Sequence, residues 1–307
     1  MANRPKNLFS ILDSGSDEPV GQRREEASLS SRHSRHTELQ QPTDNFDPGR
    51  AGAVCATICR DLLLDFAPAL ILVKSGVRRR VQALAAYART LFDFTKDLSL
   101  EGERLAQVNR WQFALDQSLD VEPIGQPIFE QMALLEKEYS WNREALDRLT
   151  ALARARVLVV GNSGAVREQE RIEVARALLR ALFGDEPSQE LVLLAAALFR
   201  AHSLLGPRDH LAFRRPDLDL EASEPGDARL IAECADIRGA LTRGTELANA
   251  PSGTSSALRF ACAAAFQIVD QVSARPQVAP KIGLVSRLWL LVQSRFIPRP
   301  RTPSRRP

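Results

Sequence analysis

Two aspartates in the first third of the chain stand at a spacing that can support metal chemistry. Asp93 and Asp97 form a D-x-x-x-D pattern at the end of a segment with helical periodicity. Residues four apart lie on one face of a helix, and carboxylate oxygens are ligands that Mg²⁺ takes in proteins. Lys96 lies between them and would place a cation beside such a metal. A second interpretation therefore stays open, in which the pair belongs to a solvated, charged helix end.

Several arginines on the same predicted helix could hold an anion. Arg89 lies in mid-helix among apolar neighbours, where an unpaired charge is costly, so it needs a bound anion or an acidic partner. Asp93, four residues on, is such a partner. Arg78, Arg79 and Arg80 begin the helix. They could bind a diphosphate or an acidic partner, or they could be a solvated first turn.

The histidine and cysteine pattern favours core positions over metal ligation. His202 lies in an apolar helical segment, and no second His or Cys keeps metal-ligand spacing with it. A hydrogen-bonded histidine in a core or cavity is therefore favoured. Cys55, Cys59, Cys234 and Cys262 lie in apolar helical stretches without a CxxC pair. We predict buried, reduced thiols, which fit a reducing compartment.

The segments that carry these residues are predicted to be helices, because Ala, Leu and Arg dominate the periodic segments and β-branched runs are sparse. At 307 residues with 44% hydrophobic content, the chain can bury one large core. We predict an all-α protein with a single helical bundle. Its helices are predicted at 51–66, 76–97, 99–119, 126–139, 141–158, 166–184, 187–205, 226–248, 253–273 and 282–297. Ser140 and Ser188 are predicted N-caps.

The helical domain is predicted to span residues 49–297. Residues 1–48 are rich in Ser, Arg, Glu and Gln and poor in apolar groups, which predicts a disordered leader. Residues 298–307 alternate Pro and Arg and are predicted to form a basic, disordered tail.

A glycine-containing segment, 157–164, resembles a buried strand that runs into a phosphate-binding loop. Ala165, Val166 and Arg167 stand where such a loop needs a Lys and a hydroxyl, so we reject nucleotide binding. The favoured interpretation is a helix that ends at the glycines and continues as a loop.

Charge and hydropathy limit the partners. Net charge is +3, from 41 basic and 38 acidic residues, which does not indicate a nucleic acid partner. No apolar run reaches the roughly 18 residues that span a bilayer, so a cytoplasmic protein is expected. In the last predicted helix, Leu288 and Trp289 are followed by Arg295 and a basic tail, with no acid after Lys281. This suits peripheral contact with an anionic membrane; a core helix with a solvated tail is the alternative.

Segment 76–97 resembles a helix of the squalene/phytoene synthase family. In that helix two arginines precede an Ala-Leu-Tyr-Ala core, then an arginine and an aspartate-rich motif. The matching residues are Arg79, Arg80, Tyr87 and Arg89. Weaker similarities to later parts of the family lie at 101–116, 214–220 and 281–296.

The resemblance implies a helical bundle of the isoprenoid synthase type. Family members join two prenyl diphosphates. Aspartates on two facing helices hold Mg²⁺ ions, and these ions neutralise the diphosphate leaving group. Carried over by position, the substrate-binding candidates are Arg79, Arg80, Tyr87, Arg89 and His202. The candidates for binding Mg²⁺ are Asp93, Asp97 and Asp209.

The sequence departs from the family at the metal-binding positions. Phe92 and Lys96 stand where the two aspartates of the first motif are expected. His202 and Gly206 take the places of the Asn and Asp in the second motif. The middle signature, expected near 152–160, has no carboxylate there.

Three functions follow as alternatives. The first is a degenerate, non-catalytic member that needs no cofactor and binds a prenyl or other lipid, or an assembly partner. The second is an active, Mg²⁺-dependent, head-to-head prenyltransferase that uses a shifted metal site. The third is a helical scaffold without a connection to isoprenoids.

Overall fold

The computed structural model describes residues 47–95, 97, 100, 102–120, 125–158, 164–205, 226–248, 255–276 and 280–296. Within these ranges the chain forms ten α-helices and one 3-10 segment, and no strand. The helices are α1 (Pro48–Leu63), α2 (Ser75–Phe94), α3 (Arg104–Asp120), α4 (Pro127–Tyr139), α5 (Arg143–Leu158), α6 (Gly164–Phe183), α7 (Gln189–Ser203), α8 (Gly226–Ala248), α9 (Ser255–Ala274) and α10 (Leu284–Phe296). The all-α prediction is therefore confirmed.

Each of the ten predicted helices corresponds to one observed helix, with ends that differ by a few residues. The first helix, α1, begins after Asp47, whose carboxylate accepts hydrogen bonds from the backbone of Gly49 and Arg50. It ends at Leu63 rather than at residue 66. The chain then continues as the 3-10 segment Leu64–Leu72, which contains Pro68. Proline lacks the N–H that an α-helix needs, which accounts for the early end.

One of the two predicted N-caps is confirmed and the other is wrong. The hydroxyl of Ser188 accepts a hydrogen bond from the backbone N–H of Leu191 at 3.3 Å, as an N-cap of α7 should. Ser140 instead ends α4 with a φ of 52°. Asn142 caps α5, because its side-chain oxygen accepts from the N–H of Ala145 at 3.0 Å.

The C-terminal half of the bundle has a core formed mainly by α7, α8 and α9. Buried side chains from these helices pack with the 3-10 segment and with one side of α10; they include Leu194, Ile237, Leu241, Phe260 and Ile268. The four cysteines are free and buried, which confirms the prediction of core thiols. Burial raises the pKa of Cys59 and of Cys262 to about 12, so both stay protonated at neutral pH.

An aromatic cluster joins α2, α3 and α4. The Trp111 ring lies 4.4 Å from the Phe129 ring, measured between centroids, and meets Phe94 edge-on at 5.4 Å. Tyr87 stacks on Trp111 at 6.2 Å. This packing determines which side of α2 faces the interior.

Two predictions lie outside the described residues. The leader is described only at its last two positions, and the tail 298–307 is not described. Disorder in either segment stays a prediction. Among the helices that the structure describes, none is both long and apolar enough to cross a membrane.

Candidate functional site

The aspartate-rich segment of α2 lies at the C-terminal end of that helix. Asp93 forms an ion pair with Arg89, with 2.6 Å between Oδ2 and Nε. Asp97 lies beyond the last residue of α2, and its backbone N–H donates to the carbonyl of Asp93 at 3.1 Å. The carbonyl of Asp97 accepts from the side chain of Arg104 at 2.9 Å. Asp93 is thus already neutralised by a cation.

His202, on α7, forms a hydrogen bond with the C-terminal end of α1. Its Nε2 atom donates to the carbonyl oxygen of Leu62 at 2.6 Å, and its ring lies 6.0 Å from the Phe66 ring. The pKa of His202 is lowered mainly by burial, and the positive charge of Arg89 acts in the same direction. The hydrogen bond to Leu62 and the charge of Asp65 oppose this shift. His202 therefore favours its neutral form.

The charge of Arg89 acts on the His202 ring, so these two sequence-predicted site residues lie within electrostatic range of each other. Asp65, whose charge also acts on His202, is buried just beyond the end of α1. We take Arg89, Asp93 and His202, with Asp65 beside them, as the candidate site.

The residues described at this site do not fit a Mg²⁺ cluster. In the described part of the chain, no group of three or more His, Cys, Asp or Glu side chains is arranged to hold a metal ion. Asp93 is paired with Arg89. Asp65 accepts a backbone hydrogen bond from Ile282 and an ion pair from Arg287. Asp209, the third predicted metal ligand, lies outside the described residues.

The basic start of α2 contacts the corner between α4 and α5 instead of the candidate site. Arg79 forms an ion pair with Glu138 at 2.9 Å. The Arg80 guanidinium lies over the rings of Tyr139 and Trp141, at 5.1 and 5.4 Å from their centroids. Burial lowers the pKa of Arg80, although the nearby Tyr139 opposes this shift. Both arginines therefore have partners within the protein.

Tyr87 faces away from the candidate site. It is fully buried, and its hydroxyl lies 3.2 Å from Oγ1 of Thr150 on α5. Burial raises the pKa of Tyr87 well above its usual range. Two residues along an α-helix are separated by about 200° around its axis, so Tyr87 and Arg89 point to opposite sides of α2. Of the five predicted substrate-binding residues, Arg89 and His202 lie within electrostatic range of each other, whereas Arg79, Arg80 and Tyr87 contact other parts of the bundle.

A polar network between α3 and α5 was missed by sequence reasoning. Gln112 donates to Asp147 at 2.8 Å, and Arg154 donates to Gln112 at 2.5 Å and to Asn109 at 2.7 Å. The pKa of Asp116 is raised by burial and then by the nearby charge of Asp147. The signal was present in the sequence, because residues 109, 112 and 116 share one face of α3.

A groove of about 500 Å³ lies between α5 and α6. Its charged side chains pair within the groove: Arg148 with Glu173 at 3.0 Å, and Arg180 with Glu144 at 2.7 Å. Arg176 lies 3.9 Å from the carboxylate of Glu186. Because the cations are neutralised by neighbouring acids, the groove is not a candidate for binding an anionic ligand.

Comparisons with known proteins give evidence about the fold alone. No known protein family matches the sequence. No curated protein matches it either. A crystal structure of a dehydrosqualene synthase in complex with a ligand is similar, with a TM-score of 0.60 and 12% sequence identity. The match covers 81% of this chain and 98% of that chain. The chain therefore has an all-α, isoprenoid synthase-like fold.

Proposed function

We propose that this chain is a non-catalytic relative of the squalene/phytoene synthases that binds a prenyl or other lipid. The observation that carries the proposal is the ion pair between Arg89 and Asp93. Asp93 is the carboxylate that lies closest to the family's first metal motif, and a guanidinium occupies it. The pairing supports a bundle that has kept its helical arrangement and lost a ligand for the metal.

The chemistry of the family explains why this matters. When an allylic diphosphate departs, negative charge develops on the diphosphate. Metal ions held by several carboxylates stabilise this charge by several kcal/mol. A carboxylate beside a guanidinium is a weaker ligand for Mg²⁺, because the positive charge of the guanidinium repels the metal ion. Lys96 adds a further positive charge to the same stretch of sequence. These features support binding without ionisation of the substrate.

The test separates binding from catalysis. Farnesyl and geranylgeranyl diphosphates are titrated into the full chain by calorimetry, with and without Mg²⁺, while diphosphate release is followed in parallel. We expect binding that does not require Mg²⁺, and no release of diphosphate. Asp93→Asn and Asp97→Asn should leave the affinity unchanged, as should the exposed control Asp185→Asn on the α6–α7 connection.

Two results would contradict the proposal. Release of diphosphate that requires Mg²⁺ and is lost in Asp93→Asn, Asp97→Asn or Asp209→Asn would establish the active prenyltransferase instead. Failure to bind both diphosphates and the corresponding alcohols would leave a scaffold or an assembly protein.

A further inference from the structure

The last helix, α10, is held firmly on its inner side. Leu290 is buried in the C-terminal core, and Arg287 forms an ion pair with the buried Asp65. Arg259 on α9 donates to the carbonyl of Ser294 at 2.8 Å. These contacts lie along the length of α10, so one side of the helix is packed against the bundle throughout.

The outer side of α10 is apolar and exposed. Five large side chains lie there with between 49% and 81% of their surface accessible: Leu284, Val285, Leu288, Trp289 and Val292. Their spacing of one, four, five and eight residues from the first places them on a single stripe. Scattered exposed apolar residues are normal, but a continuous stripe on one helix marks an interaction surface.

The sequence that carries this stripe has charges of one sign. From Lys281 to Pro307 it contains seven Lys and Arg residues, of which Arg287 pairs with Asp65 on the inner side, and no Asp or Glu. Lys281 and Arg295 belong to the described part and are exposed. An apolar helix face bordered by cations is the pattern of a helix that lies in the surface of an anionic bilayer. Trp289, at the centre of the stripe, has the amphipathic ring that favours the headgroup region.

We propose that α10 docks the protein on an anionic lipid bilayer, with the Leu284 to Val292 stripe inserted between the headgroups. A second copy of the chain is a less suitable occupant, because a symmetric contact would bring the same acid-free, basic segments together. Docking requires no ligand in the helical bundle, so failure of prenyl-ligand binding would leave this surface intact.

Trp289 provides a direct probe. It is 59% exposed, whereas Trp111 and Trp141 are 7% and 4% exposed, so a change in tryptophan emission on docking comes from Trp289. The full chain is titrated with vesicles of phosphatidylcholine containing phosphatidylglycerol, and with vesicles of phosphatidylcholine alone. We expect a blue shift and quenching by brominated lipid with anionic vesicles. Each cation near an anionic surface should strengthen partitioning by about fivefold. Partitioning into neutral vesicles should therefore be at least about tenfold weaker.

Matched variants distinguish docking through the stripe from non-specific adsorption of exposed apolar residues to vesicles. Leu288→Ser should weaken binding to anionic vesicles by about tenfold or more. Phe113→Ser replaces an apolar residue on α3 that is more exposed than Leu288, 70% against 54%, and should leave binding unchanged. Both positions are exposed, so helix content measured by circular dichroism should be unaffected. Trp289→Phe should remove the emission shift while vesicle sedimentation persists.

Three outcomes would overturn the proposal. The first is no sedimentation with anionic vesicles at low salt. The second is a stable dimer without vesicles that Leu288→Ser dissociates, which would make the stripe a contact between copies. The third is a Trp289 emission that is already blue-shifted in solution and moves to the red when residues 1–46 are removed, which would make the leader the occupant.

Discussion

The Nε2 atom of His202 lies 2.6 Å from the carbonyl oxygen of Leu62 and so connects α7 to the end of α1. The last carbonyls of a helix have no partner within the helix, and a side-chain donor can satisfy one of them. The next turn is strained, because Leu64 has a φ of 48°, which β-carbon-bearing residues seldom adopt. His202 therefore supports the turn from which the candidate site is built.

Stability should fall in mild acid because of His202. Its folded-state pKa is lowered below the ordinary value of 6.5, so the unfolded chain takes up the proton more readily. The stabilisation is complete above about pH 6.5 and is lost as the pH falls towards the folded-state pKa. Urea unfolding at about pH 7.5 and about pH 5.5 measures the loss.

The control for this prediction is His202→Gln, which keeps an N–H donor and does not titrate. The variant should lose less stability than the wild type between the two pH values. Shifts at carboxyl groups such as Asp116 and Glu130, whose pKa values burial raises, cancel in the difference. Equal losses in the two proteins would show that His202 does not titrate in this range.

The Arg89–Asp93 pair should contribute little to stability and should not respond to Mg²⁺. Its side chains are 49% and 32% exposed, and a pair of this kind contributes about 0.5 kcal/mol or less. Asp93→Asn should therefore lower the free energy of unfolding by no more than that amount. Millimolar Mg²⁺ should leave the Tm of the wild type unchanged. A rise in Tm with Mg²⁺ that Asp93→Asn abolishes would instead identify Asp93 as a metal ligand.

Asp65→Asn should destabilise the protein by about 2 kcal/mol. The Asp65 side chain is 9% exposed and pairs with Arg287. Asparagine would leave the Arg287 guanidinium without its charged partner, and the 33% exposure of the Arg287 side chain limits the cost because water hydrates part of it. Denaturant unfolding measures the cost. Because the cost comes largely from a stranded charge, the double variant Asp65→Asn with Arg287→Met should recover part of the loss. No recovery would mean that the packing of Asp65, not the charge pair, is what stabilises α10.

Gly244→Ala should lower stability by about 1 kcal/mol, because α7 and α8 meet closely there. A β-carbon at Gly244 would lie 2.3 Å from Cδ1 and 2.9 Å from Cγ of Leu194, which is itself buried. Overpacking of this kind costs more than the helix propensity that alanine gains.

The matched control is Gly239→Ala on the same helix. Among the described residues a β-carbon there meets only Arg243 Nη1, at 3.7 Å, so alanine should stabilise the protein by about 0.5 to 1 kcal/mol. Thermal unfolding of the two variants should therefore move Tm in opposite directions. A rise in both would mean that Leu194 moves aside at little cost.

Tyr87→Phe should cost about 1 kcal/mol, through loss of the buried hydrogen bond to Thr150. The hydroxyl of Thr150 also donates to the carbonyl of Leu146 at 3.3 Å, so it keeps a partner in the variant. Tyr139→Phe, at a position 39% exposed, should be close to neutral and serves as the control. Equal effects at the two positions in urea unfolding would argue against a specific role for the Tyr87 hydroxyl.

The helices and their local pairs were predictable, because both depend on residues close in sequence. The apolar period placed the ten helices of the described ranges, and spacing alone indicated that Arg89 and Asp93 could pair. The cap at Ser140 could not be decided in this way. Serine suits several roles at a helix boundary, and only the φ of 52° shows that this one ends α4.

The sequence by itself determined an all-α bundle, the arginine and carboxylate on one turn of α2, and an acid-free C-terminal segment. Only the tertiary structure decided which residues meet across the bundle. His202 and Leu62 are 140 positions apart, and Arg287 and Asp65 are 222 apart. Helical periodicity encodes the side of a helix on which a residue lies, but the neighbour packed against that side depends on how all the helices bury their apolar faces together. The same dependence left the stripe on α10 exposed.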